Sequence, residues 1–220
     1  MLQLSKQRKG NGGMKNYIFD FGMVLFNYDT KYMAGIYTEN EEDRDFLESV
    51  VFDRLYWDRL DRGEIGDSEV IEAIRQRVPM RLAETAEKIY NNWIENLTPI
   101  PGMEDILVRI KNKGGRLYLL SNISIGFAEN YRNVLSVYRV LSLFDGLVFS
   151  GPIHMAKPDP AIFRFLLEKY RLSPEETLFT DDNPKNIETA KELDLHTFLF
   201  DGDSKKLLQY VKVGFDGDNI

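Results

Sequence analysis

Short apolar segments recur along the chain at intervals long enough to hold a helix. They are rich in isoleucine, valine, leucine, phenylalanine or tyrosine, and most lie next to glycine, proline, aspartate or asparagine, as is typical of strands. Strands that are apolar throughout are buried on both faces, as in a parallel sheet covered by helices. The segments predicted as strands are 16–20, 116–121, 146–150, 177–181 and 196–200. The sequence therefore predicts an α/β fold with a doubly wound parallel sheet.

Helical patterns fill several of the intervals between these strands. Apolar residues recur at spacings of three, four and seven from Met103 to Ile110. Asp159 before Pro160 is typical of an N-cap followed by a proline at the first helical position. A further helix is predicted over residues 184–193. The alternation of helices and strands supports the parallel sheet.

Residues 31–98 break the alternation, because they contain helical patterns and no convincing strand. The two prolines within 98–102 mark the return to the strand-and-helix pattern. We therefore predict a helical insert between the first and second strands. Its aromatic residues, together with the one just before it, are expected to pack within the insert more than to line a pocket; they are Tyr28, Tyr56, Trp57 and Trp93.

Composition excludes several classes of function. The chain of 220 residues has no cysteine, so it has neither disulfides nor thiolate metal sites, and we expect a reducing, cytoplasmic location. Its net charge of -7 argues against a general nucleic-acid binder. Its apolar runs are too short to span a bilayer, so no membrane partner is expected. Residues 1–13 are polar, basic and glycine-rich, and are predicted to be a disordered extension.

The residues that follow the predicted strands have a common chemistry. In open parallel sheets, ligands bind outside the carboxyl ends of the strands. Carboxylates there can hold Mg²⁺, one of them can attack phosphorus, and an ammonium or hydroxyl group can neutralise phosphoryl oxygens. This is the set that metal-assisted phosphoryl transfer needs. The candidates at this edge are Asp20, Ser121, Asn122, Lys157, Asp181 and Asp182.

Four sequence blocks resemble, in order, the four motifs of the haloacid dehalogenase superfamily. The blocks are FDFGMV, LLSN, KPDPAIF and FTDDNPKN. The resemblance implies a Rossmann-like core made of residues 14–30 and 99–220, with residues 31–98 as a small helical cap. It also implies a Mg²⁺-dependent hydrolase that acts on a small phosphorylated molecule through an aspartyl-phosphate. We expect a monomer or a homodimer.

The same resemblance implies a role for each candidate. Asp20 would be the nucleophile and a Mg²⁺ ligand, and Gly22 would offer the metal its backbone carbonyl. Asp182 would be the ligand from the fourth motif, with Asp181 ligating directly or through water, and the tandem pair leaves this choice open. The remaining roles are phosphate binding by Ser121 and Asn122, and stabilisation of Asp20 and the phosphoryl group by Lys157.

Gly22 departs from the usual pattern. Most phosphatases of this superfamily carry a second aspartate at that position, which acts as general acid and then as general base. A branch of bacterial phosphatases that act on sugar 1-phosphates resembles this chain in having glycine there, and also in the RGEI segment, residues 62–65. A hemiacetal oxygen leaves more easily than an alkoxide, so the resemblance favours a sugar phosphate as substrate.

Two other functions are compatible with the same residues. The loss of the second aspartate at Gly22 would also fit a catalytically degenerate protein that binds a phosphorylated ligand. A 2-haloacid dehalogenase would use the same nucleophile on carbon without a metal. The tandem carboxylates argue against the dehalogenase, because extra negative charge beside an anionic substrate is unfavourable without a cation.

Overall fold

The computed structural model describes residues 13–216, with side chains described as far as residue 211. The predicted disordered extension, residues 1–13, lies outside the described residues except for Gly13. No helix in the described part of the chain is both long enough and apolar enough to cross a membrane.

The central sheet confirms the predicted fold class. Five strands lie in the order β5-β4-β1-β6-β7, and every neighbouring pair is parallel. All five predicted strands form, each within a residue of the predicted bounds. A separate antiparallel pair joins β2 and β3. The strands are β1 Asn16–Phe19, β2 Phe26–Asn27, β3 Thr98–Pro99, β4 Arg116–Ser121, β5 Gly146–Phe149, β6 Thr177–Asp181 and β7 His196–Leu199.

Helices cover both faces of the sheet, and five of them lie between β2 and β3. The predicted cap Asp159 accepts a hydrogen bond of 2.8 Å from the backbone of Ala161 at the start of α10. The helices are α1 Thr30–Gly35, α2 Glu41–Val51, α3 Arg54–Asp61, α4 Asp67–Arg77, α5 Ala83–Asn91, α6 Met103–Asn112, α7 Ile125–Asn130, α8 Leu135–Leu141, α9 Ser150–Ile153, α10 Pro160–Tyr170, α11 Pro184–Glu192 and α12 Ser204–Asp216.

The two faces of the sheet explain the continuous apolar strands. In β1, Tyr17 and Phe19 belong to one buried cluster, whereas Ile18 between them belongs to another. Leu119 and Leu120 of β4 divide in the same way. Successive side chains of a strand point to opposite faces, so both clusters require apolar residues at every position. The sheet is therefore buried on both sides.

The strand order places the end of β1 at the centre of the sheet. From β1 the chain passes to β4 and β5 on one side, and later to β6 and β7 on the other. The crevice at such a change of direction is where ligands bind in open α/β sheets. Asp20 follows β1 directly and so lies at this crevice.

The prediction that 31–98 holds no strand is wrong at its last residue. Thr98 belongs to β3 and pairs with Asn27, while Pro99 pairs with Phe26. A two-residue strand shows no periodicity in a sequence, and this one forms because the chain returns beside its point of departure. The backbone of Ile100 also donates to the carbonyl oxygen of Leu25, at 2.9 Å. The helical segment is thus joined to the sheet by two adjacent, paired connections.

Candidate active site

Asp20 occupies the centre of the candidate site. Its backbone N–H donates to the carbonyl oxygen of Thr180 at 2.9 Å, which continues the pairing of β1 with β6 by one residue. Its side chain is 14% exposed, whereas the strand residues before it are fully buried. The strand therefore presents one carboxylate at the opening of the sheet edge.

Lys157 links this carboxylate to a second one. Its Nζ atom lies 2.7 Å from Oδ1 of Asp20 and 2.7 Å from Oδ2 of Asp181. Burial lowers the pKa of Lys157, but the charges of the two carboxylates outweigh burial and raise it. The side chain is thus held as a buried ammonium group, fixed between Asp20 and β6.

Asp181 is fully buried and held by donors from its own loop and helix. Its Oδ1 accepts from the backbone of Asn183 at 2.8 Å, and both its oxygens accept from Nδ2 of Asn186, at 3.0 and 3.1 Å. Asp182 is the more exposed member of the tandem pair and lines the adjoining cavity. Asp181 therefore has a dense set of protein partners, and Asp182 faces the open space.

The three carboxylates fit a hard divalent cation. Asp20, Asp181 and Asp182 can each offer one oxygen, and these oxygens lie within 4.8 Å of one another. Together with Lys157 they leave an excess of two negative charges if all are ionised. Burial raises the pKa of Asp20 to about 7, against the effect of Lys157, and burial followed by the charge of Asp181 raises the pKa of Asp182. Oxygen ligands with excess negative charge are what Mg²⁺ prefers.

Asn122 fixes the main chain that carries Lys157. Its Nδ2 donates to the carbonyl oxygen of Lys157, and its Oδ1 accepts from the backbone N–H of the same residue, both at 2.8 Å. Ser121, the last residue of β4, is buried and lines the cavity beside it. The LLSN block thus contributes an amide side chain that holds the backbone of Lys157 and a hydroxyl group at the cavity.

A cavity of about 220 Å³ lies between the sheet edge and the helical segment. The sheet contributes the carboxyl and ammonium groups described above, and the helical segment contributes aromatic, aliphatic and charged side chains. The residues that line it are Asp20, Phe21, Gly22, Met23, Tyr28, Arg54, Trp57, Asp61, Trp93, Leu97, Ser121, Asn122, Ile123, Lys157, Asp182, Asn183 and Asn186.

The aromatic wall of the cavity differs from the sequence-based expectation. Tyr28, Trp57 and Trp93 pack edge to face, with ring centroids 5.3 to 6.0 Å apart, and all three also line the cavity. The same three rings therefore pack against one another and also line the cavity. Tyr56 packs as expected, with the Arg77 guanidinium 5.3 Å from its ring centroid, and is not among the cavity residues.

Comparison with known proteins identifies the family. Residues 62–200 match the family model of the haloacid dehalogenase-like hydrolases. The chain belongs to this family. It is a hydrolase with the fold that the four sequence blocks predict.

Individual relatives of this hydrolase differ in length and in named activity. It is 25% identical to a D-ribitol-5-phosphate phosphatase of Bacteroides thetaiotaomicron, covering 84% of this chain and 91% of that protein. It is 25% identical to the sesquiterpene phosphatase astK of Aspergillus oryzae, covering 80% and 85%. It is 28% identical to the drimenol cyclase drtB of Aspergillus calidoustus over 83% of this chain, but spans 33% of that protein.

One of the similar solved structures holds both a metal ion and phosphate. A family enzyme of Bacteroides thetaiotaomicron, in complex with magnesium and inorganic phosphate, is 26% identical and superposes with a TM-score of 0.62. The match covers 84% of this chain and 93% of that one.

Every predicted site residue of this haloacid dehalogenase-like hydrolase lies at the same edge of the sheet. Most of them line the cavity itself, and Asp181 lies behind it in contact with Lys157. At Gly22, a Cβ atom added to the backbone would meet no atom within 4 Å, so the space for a side chain is open. Close packing does not explain why this position is glycine.

Sequence reasoning assigned no role to four polar residues that the structure places at the site of this hydrolase. Asn183 and Asn186 follow the tandem carboxylates within the fourth block, so their proximity could have been inferred from that block. Arg54 and Asp61 are contributed by α3, and nothing in their sequence pattern indicates which face of the helix meets the cavity. Burial raises the pKa of Asp61 to about 7.

Proposed function

We propose that this protein is a Mg²⁺-dependent phosphatase that hydrolyses a small phosphorylated metabolite, with a sugar phosphate as the substrate class. The observation that carries the proposal is the pairing of Asp20 with Lys157 at the floor of the cavity, beside carboxylate oxygens within 4.8 Å of one another. A nucleophile, a fixed ammonium group and a metal-ligand set are thereby joined at one point.

In the proposed first step, Asp20 attacks phosphorus with its carboxylate and the bond between phosphorus and the leaving oxygen breaks. Lys157 keeps Asp20 oriented and offsets charge on the phosphoryl oxygens, and the Ser121 hydroxyl and the Asn122 backbone bind those oxygens. In the second step, water attacks the aspartyl-phosphate, and inorganic phosphate leaves as the Asp20 carboxylate is restored.

Asp20, Asp181, Asp182 and the backbone carbonyl of Gly22 would hold the metal ion. A bound Mg²⁺ supplies neutralisation of negative charge on the transferred phosphoryl group. Asp181 already accepts from Lys157, Asn183 and Asn186. We therefore assign direct ligation to Asp182, and to Asp181 the orientation of Lys157 with an outer or shared contact to the metal.

Residues 31–98 are proposed to act as a cap over a core made of residues 14–30 and 99–220. The cap would exclude water from the phosphoryl group and bind the rest of the substrate. Arg54 offers a guanidinium group that can hydrogen-bond to hydroxyls, and Trp57 offers a ring against which a sugar can pack. The named activity of the ribitol-5-phosphate phosphatase supports a polyhydroxylated substrate.

A second candidate substrate is a phosphate ester of an apolar alcohol. The aromatic wall formed by Tyr28, Trp57 and Trp93 favours it, as does the named activity of the sesquiterpene phosphatase. A side-by-side assay of sugar phosphates and terpenyl phosphates separates the two candidates. The substrate class with the higher kcat/KM identifies the occupant of the cavity.

The test of the proposal is a screen of phosphorylated metabolites for released phosphate, with Mg²⁺ and with EDTA. We expect turnover that requires the metal, and a loss of at least about 10³-fold in Asp20→Asn, because the nucleophile is removed. Asp105→Asn, an equal change on the exposed face of α6, is the matched control and should keep full activity. Activity that survives in Asp20→Asn would exclude the mechanism, and no turnover of any ester would favour a phospho-ligand binding protein.

A further inference from the structure

The proposed reaction needs a proton donor that the loop after β1 lacks. The leaving oxygen must gain a proton in the first step, and water must lose one in the second. Gly22 has no side chain for either transfer. The titratable side chains lining the cavity are Asp20, Tyr28, Arg54, Asp61, Lys157 and Asp182.

Asp61 is the one member of this set with no other assigned task that can also exchange a proton near neutral pH. Asp20 and Asp182 are assigned to the nucleophile and the metal, and Lys157 is paired with two carboxylates. Burial, followed by the charge of Asp61, raises the pKa of Tyr28 far above neutrality. Arg54 is permanently protonated.

The structure fixes Asp61 close to the predicted phosphate-binding segment. Asp61 is the last residue of α3, and its carbonyl oxygen accepts a hydrogen bond from the buried Ser150 hydroxyl. The same hydroxyl accepts from the backbone N–H of Ile123 at 2.8 Å. Ile123 is two residues after Ser121. The Ser150 hydroxyl therefore joins the backbone of Asp61 to the segment that is predicted to bind phosphate.

The loop after Asp61 is shaped for this close approach. Gly63 has a φ of 67°, and a Cβ atom added there would lie 2.4 Å from the carbonyl oxygen of Gly151. Glycine is therefore required for the loop to lie against α9. The ring Nδ1 of His154 lies 3.2 Å from the carbonyl oxygen of Arg62, which adds a second contact between the loop and the core.

The carboxyl group of Asp61 has no fixed partner. Within residues 13–211 it makes no hydrogen bond and no ion pair shorter than 4 Å. The charged and titratable groups around it are Arg54 and Asp58 from its own helix, Tyr28 from the segment before α1, and Tyr90 from α5. Burial is the largest influence and raises the pKa of Asp61 to about 7. Near neutral pH, the group is thus present in both protonation states.

We propose that Asp61 is the general acid and general base of this reaction, acting from the helical segment in place of the side chain that Gly22 lacks. When the bond between phosphorus and the leaving oxygen breaks, the electron pair stays on that oxygen, which takes the proton of Asp61. When water attacks the aspartyl-phosphate, Asp61 takes a proton from the water and is restored. The inference rests on the proposed phosphatase activity.

The test compares leaving groups in Asp61→Asn. For alkyl phosphates, whose leaving oxygen needs a proton, we expect kcat to fall by about 10²- to 10⁴-fold. For p-nitrophenyl phosphate, whose leaving group is stable as an anion, we expect a fall of less than about tenfold in the first step. The kcat/KM profile of the wild type should fall as pH rises through about 7, because Asp61 must be protonated in the first step, and Asp61→Asn should lack this falling limb. Ionisation of Asp20 acts on the rising limb instead, because the nucleophile must be a carboxylate. Asp61→Glu, which keeps the carboxyl group, should recover part of the alkyl phosphate activity.

Asp105→Asn is the matched control, because it makes the same change at an exposed residue of α6 that lies outside the cavity lining. It should leave the leaving-group dependence unchanged. Because Asp61 also acts on the aspartyl-phosphate, which is common to both classes of ester, the two classes are compared in the first step, measured as release of the leaving group in a single turnover. An equal fall in that rate for both classes in Asp61→Asn, or a rise in KM alone, would overturn the proposal and indicate substrate recognition. If Asp61→Asn does not fold, Asp61→Ser, which also removes the carboxyl group, takes its place, and an unchanged leaving-group dependence in that variant overturns the proposal. Absence of wild-type turnover would instead overturn the phosphatase function on which the inference rests.

Discussion

The two walls of the cavity are built on different principles. On the sheet wall, charged groups are held by short contacts, such as those of Lys157 with Asp20 and Asp181 at 2.7 Å. On the helical wall, Tyr28 and Trp57 are held by ring packing, and the carboxyl group of Asp61 is unpaired within the described side chains. The contrast supports the proposal that the sheet wall holds the reacting groups in place, whereas the helical wall selects the substrate and supplies the proton transfer.

Lys157→Met is expected to have the largest effect, because it breaks the sheet wall at its centre. It leaves Asp20 and the buried Asp181 facing each other without a cation. We expect a loss of at least about 10³-fold in kcat/KM, since phosphoryl charge is no longer offset. Removing one partner of a buried ion pair also lowers the free energy of unfolding, by about 3–5 kcal/mol.

Phosphate release and urea denaturation measure the two effects. Lys191→Met, an equal change on the exposed surface of α11, is the control and should alter neither quantity. Full activity in a folded Lys157→Met variant would contradict the role of Lys157 and remove the contrast between the walls.

Gly22→Asp is expected to have the next largest effect, because it adds an acid–base group to the sheet wall. The open space around Gly22 accommodates a side chain. We expect hydrolysis of alkyl phosphates to rise by about 10- to 100-fold, toward the usual gain from a general acid. In the double variant Gly22→Asp with Asp61→Asn, the new group should restore the activity lost at Asp61.

Gly22→Asn is the control, because it has nearly the same shape and cannot donate a carboxylic proton. Alkyl phosphate rates that stay level or fall in Gly22→Asp would show that an added carboxyl group at this position does not act as an acid. Assays at several pH values distinguish that outcome from simple loss of the metal.

The sheet wall could be predicted from the sequence, and the helical wall could not. Asp20 and Asp182 directly follow apolar strands whose carboxyl ends meet at one edge of the sheet, and the ends of such strands can be recognised in the sequence, so the positions of these residues could be predicted. The positions of Arg54 and Asp61 depend on how α3 docks, which is set by contacts such as that of Ser150 with Asp61, 89 residues apart. The pairing of β2 with β3 was missed because it too depends on contacts between residues that are far apart in the sequence.

Trp57→Phe should change the helical wall alone and so produce a moderate, substrate-dependent effect. Trp57 packs against Tyr28 and Trp93, and its Nε1 donates to the carbonyl oxygen of Val51 at 2.7 Å. We expect KM to rise about tenfold for the preferred substrate, while kcat stays within about threefold, because the phosphoryl-binding groups are untouched. Steady-state kinetics on sugar and terpenyl phosphates measure both constants.

Tyr56→Phe, in a ring outside the cavity lining, is the control for this change. A loss confined to kcat, with KM unchanged, would contradict the assignment of the helical wall to substrate recognition.

The smallest expected effect concerns stability and follows from the unpaired carboxyl group on the helical wall. The folded pKa of Asp61 is about 7, and an unfolded aspartate titrates near 3.9. Because the folded value is the higher one, the folded protein loses stability as pH rises through the interval from about 4 to about 7, and the loss is complete above it. Asp61→Asn does not ionise, so the difference between its free energy of unfolding and that of the wild type should grow in its favour as pH rises across this interval. At 1.36 kcal/mol per pKa unit, this difference is at most about 4 kcal/mol, and water in the cavity makes it smaller. Urea denaturation of both proteins at pH 5.5, 6.5, 7.5 and 8.5 measures the difference, and parallel curves would show that Asp61 is ionised and solvated in the folded protein. In that case, the helical wall would hold a fixed anion instead of a proton carrier, and the two walls would differ in their packing alone.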